Sequence, residues 1–160
     1  MRKIKSPRAQ MRFYHPKHES PHQSGRRFLM TSVPSAPVVY VVDDDTGVLG
    51  SLRFLLETDG FDVRTFRSGA ALLTGSLAGE ADCFVIDYKM PAMSGIDLAN
   101  RLRNRLIGAP IILITGYPDE NIQEKAAAVG IHHVLLKPHL EESLVGHIRG
   151  AIQEGPPAAP

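Results

Sequence analysis

The chain has 160 residues, a formal net charge of +1, one cysteine and no tryptophan. That length suggests one domain plus tails, and a single cysteine excludes an internal disulfide framework and fits a reducing compartment. No segment has the unbroken apolar length of a membrane span or the apolar core of a secretory signal, so a cytoplasmic location is expected.

The near-neutral total conceals two opposite parts. Residues 1–36 hold eight Lys and Arg against Glu19 alone, whereas the remainder holds ten basic and sixteen acidic residues. Pro7, Pro16, Pro21 and Pro34, with no helical or strand periodicity, mark residues 1–36 as a basic, disordered tail. Its Arg- and Ser-rich composition is shared by organelle transit peptides, but no amphipathic stretch supports that reading. A simpler origin is that Met30 is the natural start and residues 1–29 come from an over-extended reading frame. His15, His18 and His22 lie in this tail, where chance explains them better than a metal site does. The tail's charge suits nucleic-acid phosphates, yet it has no recognised fold and few aromatics, so solvated disorder is favoured.

From Val38 strand and helix signals alternate. Val38–Val42 is a β-branched run that ends on Asp43-Asp44-Asp45, and Val48, Leu49, Leu52, Leu55 and Leu56 then recur at helical spacing up to Asp59-Gly60. Asp62–Phe66 alternates as a second strand. Ser68 caps a short helix carrying Ala71, Leu72 and Leu77, weakened by Gly75. Cys83–Ile86 forms a third strand ending on Asp87, with Cys83 as inert core, and Tyr88–Ser94 is a loop. Ile96, Leu98, Ala99, Leu102 and Leu106 give a helix closed near Gly108. Ile111–Ile114 is a strand ending on Thr115, and Asp119 caps a helix with Ile122, Ala126 and Val129 that stops at Gly130. His133–Leu136 is the fifth strand, ending on Lys137-Pro138. A last helix carries Leu140, Leu144, His147, Ile148 and Ala151, before the chain leaves through Gly155-Pro156-Pro157. His132, His133, His139 and His147 lack ligand spacing and belong to surface or core packing.

Five β–α units with short connections predict an α/β fold, with residues 37–154 as one domain and 155–160 as a disordered C-terminal tail. Right-handed crossovers put helices on both faces of a parallel sheet, and the flavodoxin-like, doubly wound order 2-1-3-4-5 suits five strands of this size. Ligands bind beyond the carboxyl ends of such strands, so Asp43, Asp44, Asp87, Thr115 and Lys137 would converge at one edge. Crowded carboxylates repel one another, and a hard divalent cation removes that cost. A carboxylate nucleophile, Mg²⁺, a hydroxyl and an ammonium group supply what phosphoryl transfer requires. Asp45 is better read as the cap of the following helix.

The segments VVDDD, FVIDYKMPAMSG, ILITG and LLKP, in this order, strongly resemble the receiver domain of two-component response regulators, the CheY-like fold, over residues 38–153. The resemblance implies that Asp87 is the phosphoacceptor, charged by a histidine kinase or a histidine phosphotransfer protein. It further implies that Asp44 binds Mg²⁺ directly, Asp43 through water, and that Asp87 and the Lys89 main-chain carbonyl complete the protein ligands. Thr115 and Lys137 would hold phosphoryl oxygens, and Pro138 would position Lys137 through a cis peptide. Met90-Pro91 and Gly95 match the loop that follows the phosphoacceptor.

Two features depart from the family pattern. Val134 occupies the switch position, usually aromatic, three residues before the lysine, and His139 stands where an apolar residue is common. Lys89 and Tyr117 fill the variable positions beside the phosphoryl group, where their bulk is expected to hinder water and prolong phosphoryl lifetime. The expectation is a single-domain response regulator, not a conventional enzyme, with self-catalysed phosphotransfer and autodephosphorylation. With no DNA-binding domain and no membrane contact, it would signal by altered protein affinity or onward phosphotransfer. Its downstream partner, unnamed by the sequence, would meet the face formed by the last two strands and helices, including Ile122, Val134 and Val145. Two alternatives stand beside this. One is a haloacid-dehalogenase-like phosphatase with Asp43 as nucleophile, Asp45 following it, and Thr115 and Lys137 in support. The other is a degenerate receiver acting only as an interaction module.

Overall fold

The computed structural model describes residues 33–75, 78–117, 119–131, 133–137 and 141–156. Residues 1–32 of the basic tail, with its three histidines, and Leu77, His132, Pro138, His139 and Leu140 lie outside the described residues. So does the expected cis peptide at Pro138.

Five strands, β1 (Val38–Val42), β2 (Asp62–Phe66), β3 (Cys83–Asp87), β4 (Ile111–Thr115) and β5 (His133–Leu136), form one parallel sheet in the order β2-β1-β3-β4-β5. Five helices connect or follow them: α1 (Thr46–Thr58), α2 (Gly69–Thr74), α3 (Gly95–Asn104), α4 (Ile122–Ala128) and α5 (Glu141–Glu154). The doubly wound α/β expectation therefore holds, strand order included.

The side-chain period of two divides the core between the faces of the sheet. Tyr40, Val42, Phe84, Ile86, Ile111 and Leu113 point to one face, covered by Leu72 of α2, Leu98, Ala99 and Leu102 of α3, and Ile122 and Ala126 of α4. Val39, Val41, Cys83, Val85, Ile112 and Ile114 point to the other, covered by Leu49, Leu52 and Leu56 of α1 and Leu144 and Ile148 of α5. Both faces are buried along β1, β3 and β4, which is why those strands read as continuous apolar runs, whereas the edge strand β2 alternates.

The helix ends follow local chemistry. Asp45 caps α1 by accepting from the Gly47 and Val48 amides, and Ser68 caps α2 through the Ala71 amide. Ser94 and Asp97 form a reciprocal capping box on α3. Three helices stop in the same way, with a left-handed residue followed by an apolar one packed against the core. Gly60 (φ +91°) and Gly130 (φ +76°) supply that residue after α1 and α4. After α3 it is Leu106 (φ +62°), whose amide donates to the Arg103 carbonyl while the Ile107 amide donates to Leu102.

Several expectations change here. Leu106 does not continue the apolar face of α3, because the helix ends at Asn104 and the Leu106 side chain is 92% exposed. The stop is Leu106, not Gly108. Gly75 does more than weaken α2, since it ends that helix, and a 3₁₀ turn at Ala78–Glu80 follows. Asp119 does not cap α4 directly. Asn121 stands at the cap, and the Asp119 carboxylate instead accepts from the Asn121 amide and pairs with Lys125 at 3.0 Å. Ile122, expected on a partner face, is buried in the core, whereas Val134 and Val145 are half-buried.

Candidate functional site

Register brings the polar strand ends together. Val42 pairs with Ile86, so Asp43 and Asp87, each one step further, emerge side by side. Asp87 pairs with Ile114, and Thr115 with Leu136, which puts Thr115 one step and Lys137 two steps beyond that line. Backbone hydrogen bonds continue the ladder past the strands, from the Asp43 amide to Phe66, from Tyr88 to Ile114 and from Lys137 to Thr115. Each functional side chain is thus mounted on ordered backbone at the carboxyl edge.

The carboxylates of Asp43, Asp44 and Asp87 offer oxygens that all lie within 4.8 Å of one another. Asp43 and Asp87 are buried, while Asp44 faces solvent. One Asp43 oxygen accepts from the Asp45 amide at 2.9 Å, which ties the cluster to the start of α1. The Lys137 ammonium bridges the two buried carboxylates, 3.0 Å from Asp43 Oδ2 and 3.1 Å from Asp87 Oδ1. Thr115 is buried at the floor, and its hydroxyl is bonded to the main chain of Tyr117.

One ammonium bridging two of three clustered carboxylates leaves an electrostatic deficit. Burial first, and the Asp43 charge second, hold the Asp87 carboxyl above its usual range, although Lys137 pulls the other way. Burial alone would weaken the Lys137 charge. The hydrogen bond that Lys137 donates to Asp43 and the charges of Asp87 and Asp43 outweigh burial, so its pKa is raised and the ammonium persists. A site that keeps its lysine charged and still disfavours its central carboxylate has room for further positive charge. An all-oxygen acidic cluster with one solvent-facing member suits a hard divalent cation that retains waters.

Gly95 explains the glycine of the following loop. A β-carbon there would stand 2.5 Å from the Asp87 carbonyl oxygen and 2.8 Å from Leu113 Cδ1. Only glycine lets α3 begin against the strand that carries Asp87. In the same loop Ala92 adopts φ +66° inside a tight turn closed by the Met93 amide on the Pro91 carbonyl at 2.7 Å.

Structure adds relations that residue order could not supply. The Lys89 ammonium stands 4.2 Å from the centre of the Tyr117 ring, and the Tyr117 side chain is 65% exposed. Val134 pairs with Leu113 and packs against the core beneath. His133 and His147, set apart from the carboxylate cluster, meet edge to face at 5.6 Å, and His147 Nδ1 lies 2.7 Å from the Ser143 carbonyl. That contact agrees with a packing role. Cys83 is fully buried, and burial pushes its thiol up to about 12, so it is unreactive core.

The family model described as the response regulator receiver domain matches residues 39–149. The response regulator protein TodT of Pseudomonas putida is 35% identical over 136 residues, covering 85% of this chain and 59% of that protein. The transcriptional regulatory protein FixJ of Bradyrhizobium diazoefficiens is 35% identical over 121 residues, covering 76% of this chain and 59% of that protein. A response regulator receiver domain protein from Clostridium thermocellum superposes with a TM-score of 0.68 at 29% identity, covering 74% of this chain and 95% of the other. The chain therefore spans about three-fifths of the length of the curated relatives named here. No helix among the described residues is long and apolar enough to cross a membrane. The match spans the strands whose ends carry the carboxylate cluster and its bridging lysine, and the chain belongs to the response regulator receiver domains of two-component systems.

Proposed function

We propose that this receiver accepts a phosphoryl group on Asp87 from the phosphohistidine of a histidine kinase or a phosphotransfer protein. An Asp87 oxygen attacks phosphorus while the bond from phosphorus to the donor imidazole nitrogen breaks. The departing nitrogen keeps the electron pair and takes up a proton. Lys137, now shared between Asp87 and Asp43, turns to a phosphoryl oxygen, and Thr115 donates to another. The observation that carries this reading is the Lys137 bridge across two buried carboxylates.

Asp43, Asp44, Asp87 and the Lys89 main-chain carbonyl would hold Mg²⁺, which neutralises oxygen charge during transfer. The protein's own contribution is position and charge, not a dedicated acid–base pair, so transfer and autodephosphorylation are self-catalysed rather than enzymatic in the ordinary sense. Signalling would follow from altered protein affinity, in the cytoplasm, through the face of β4, β5, α4 and α5. The half-buried Val134 and Val145 and the 54%-exposed Leu136 belong to that face, and the buried Ile122 does not.

Incubation with Mg²⁺ and a small phosphodonor, followed by trapping and mapping of the acyl phosphate, tests the assignment. Label on Asp87 is the expected result. Label on Asp43 would restore the phosphatase reading, and absence of label would leave an interaction module alone.

A further inference from the structure

Thr115 reaches the site with its hydroxyl already engaged. Oγ1 donates to the Tyr117 carbonyl at 2.9 Å and accepts from the Tyr117 amide at 3.1 Å. A threonine hydroxyl has one proton, so it cannot donate to that carbonyl and to a phosphoryl oxygen together. Donation to the phosphoryl group therefore strips the Tyr117 carbonyl of its partner. That hydrogen bond is part-buried, whereas Tyr117 itself is 65% exposed. The freed carbonyl therefore recovers a partner when the Tyr117 peptide turns toward water.

That peptide carries the ring clasped by Lys89 at 4.2 Å. Lys89 lies two residues beyond Asp87 and Tyr117 two beyond Thr115, on loops leaving the adjacent strands β3 and β4. The clasp therefore straps the two loops that flank the phosphoacceptor. Beyond Tyr117 the loop is pinned again at Asp119, which pairs with Lys125 and accepts from the Asn121 amide. Tyr117 thus lies between two anchored residues, Thr115 and Asp119. Val134 is half-buried and has no ring to move.

We propose that Tyr117 is the positioning residue of this receiver. Its main chain holds the Thr115 hydroxyl in the resting state, and its ring, held by Lys89, is released when that hydroxyl passes to the phosphoryl group. Tyr117 thereby takes the place of the aromatic switch absent at Val134. This rests on Asp87 being the phosphoacceptor.

The test uses the full chain labelled with 3-fluorotyrosine, the Tyr117 resonance being identified by its loss in Tyr117→Phe. On phosphorylation with Mg²⁺ and acetyl phosphate, that resonance is expected to shift. In Lys89→Gln it is expected to start from a displaced position. Lys89→Gln and Tyr117→Leu should each phosphorylate about two- to fivefold faster, the worth of an exposed cation–π contact. The double variant should be no faster than either single one, and Tyr117→Phe, which keeps the ring, should keep the wild-type rate. An Asp87 phosphate with an unmoved Tyr117 resonance, or single effects that add, would overturn the proposal while leaving Asp87 as acceptor. Absence of label on Asp87 would overturn both.

Discussion

At the scale of single residues, the site is an incompletely compensated cluster. Lys137 is one positive charge shared between two buried carboxylates, with Asp44 close by. Asp87 accordingly holds its proton more tightly in the folded chain than in the unfolded one. A raised carboxyl pKa contributes full stability below the ordinary value, and that contribution is lost as pH rises through the raised value. Asp87→Asn stays neutral throughout. In chelator at neutral pH it should melt above the wild type, and the two should converge below the ordinary aspartate value of 3.8. Thermal melts across pH check this, and an Asn variant that melts lower at neutral pH would show that Lys137 compensates the charge fully. Leu106 gives a second residue-level expectation. It holds a left-handed conformation with its side chain 92% exposed, so replacement by glycine removes strain and little packing. Leu106→Gly should stabilise by roughly 0.5–1 kcal/mol, strain relief outweighing the added freedom of the unfolded chain. Urea denaturation measures it.

Among the elements, the junction of β3 and α3 decides whether the phosphoacceptor keeps its place. The capping box of Ser94 and Asp97 starts α3, and the absent side chain of Gly95 lets that start lie against the Asp87 carbonyl. Gly95→Ala should cost about 1–3 kcal/mol, as overpacking against backbone does, because the nearest obstacle is a strand carbonyl rather than a flexible tip. It should also slow phosphorylation of Asp87, since the same push displaces the strand end. Paired urea denaturation and phosphorylation rates separate the two effects. Element boundaries show where local pattern is a sufficient guide. Gly60 and Gly130 announce the ends of α1 and α4 because glycine adopts positive φ freely. The end of α3 carries no such announcement. There the half-buried Ile107, whose amide donates to the Leu102 carbonyl, stops the helix and leaves Leu106 to bear the strain, two residues before the glycine that pattern alone selects.

For the whole molecule, the sheet acts as a mounting whose register aligns four strand ends, and cation binding should therefore stabilise the whole fold. At a Mg²⁺ concentration about ten times its dissociation constant, the gain should be about 1.4 kcal/mol. Asp44→Asn should lose most of it, and thermal shift with and without chelator provides the measurement. A fold stabilised equally in both proteins would remove Asp44 from the cation site. The sequence by itself determined the α/β class, the five strands, their polar ends and the family, because buried parallel strands and short loops leave a strong local pattern. It also pointed to Asp43, Asp44, Asp87, Thr115 and Lys137, because each sits at the end of an apolar run. Only the tertiary structure decided that Lys137 bridges Asp43 and Asp87, that Ile122 is core, and that Thr115 and Lys89 both hold Tyr117. These relations join residues on separate elements, and their distances follow from strand register and loop path, neither of which is written in any one stretch of chain.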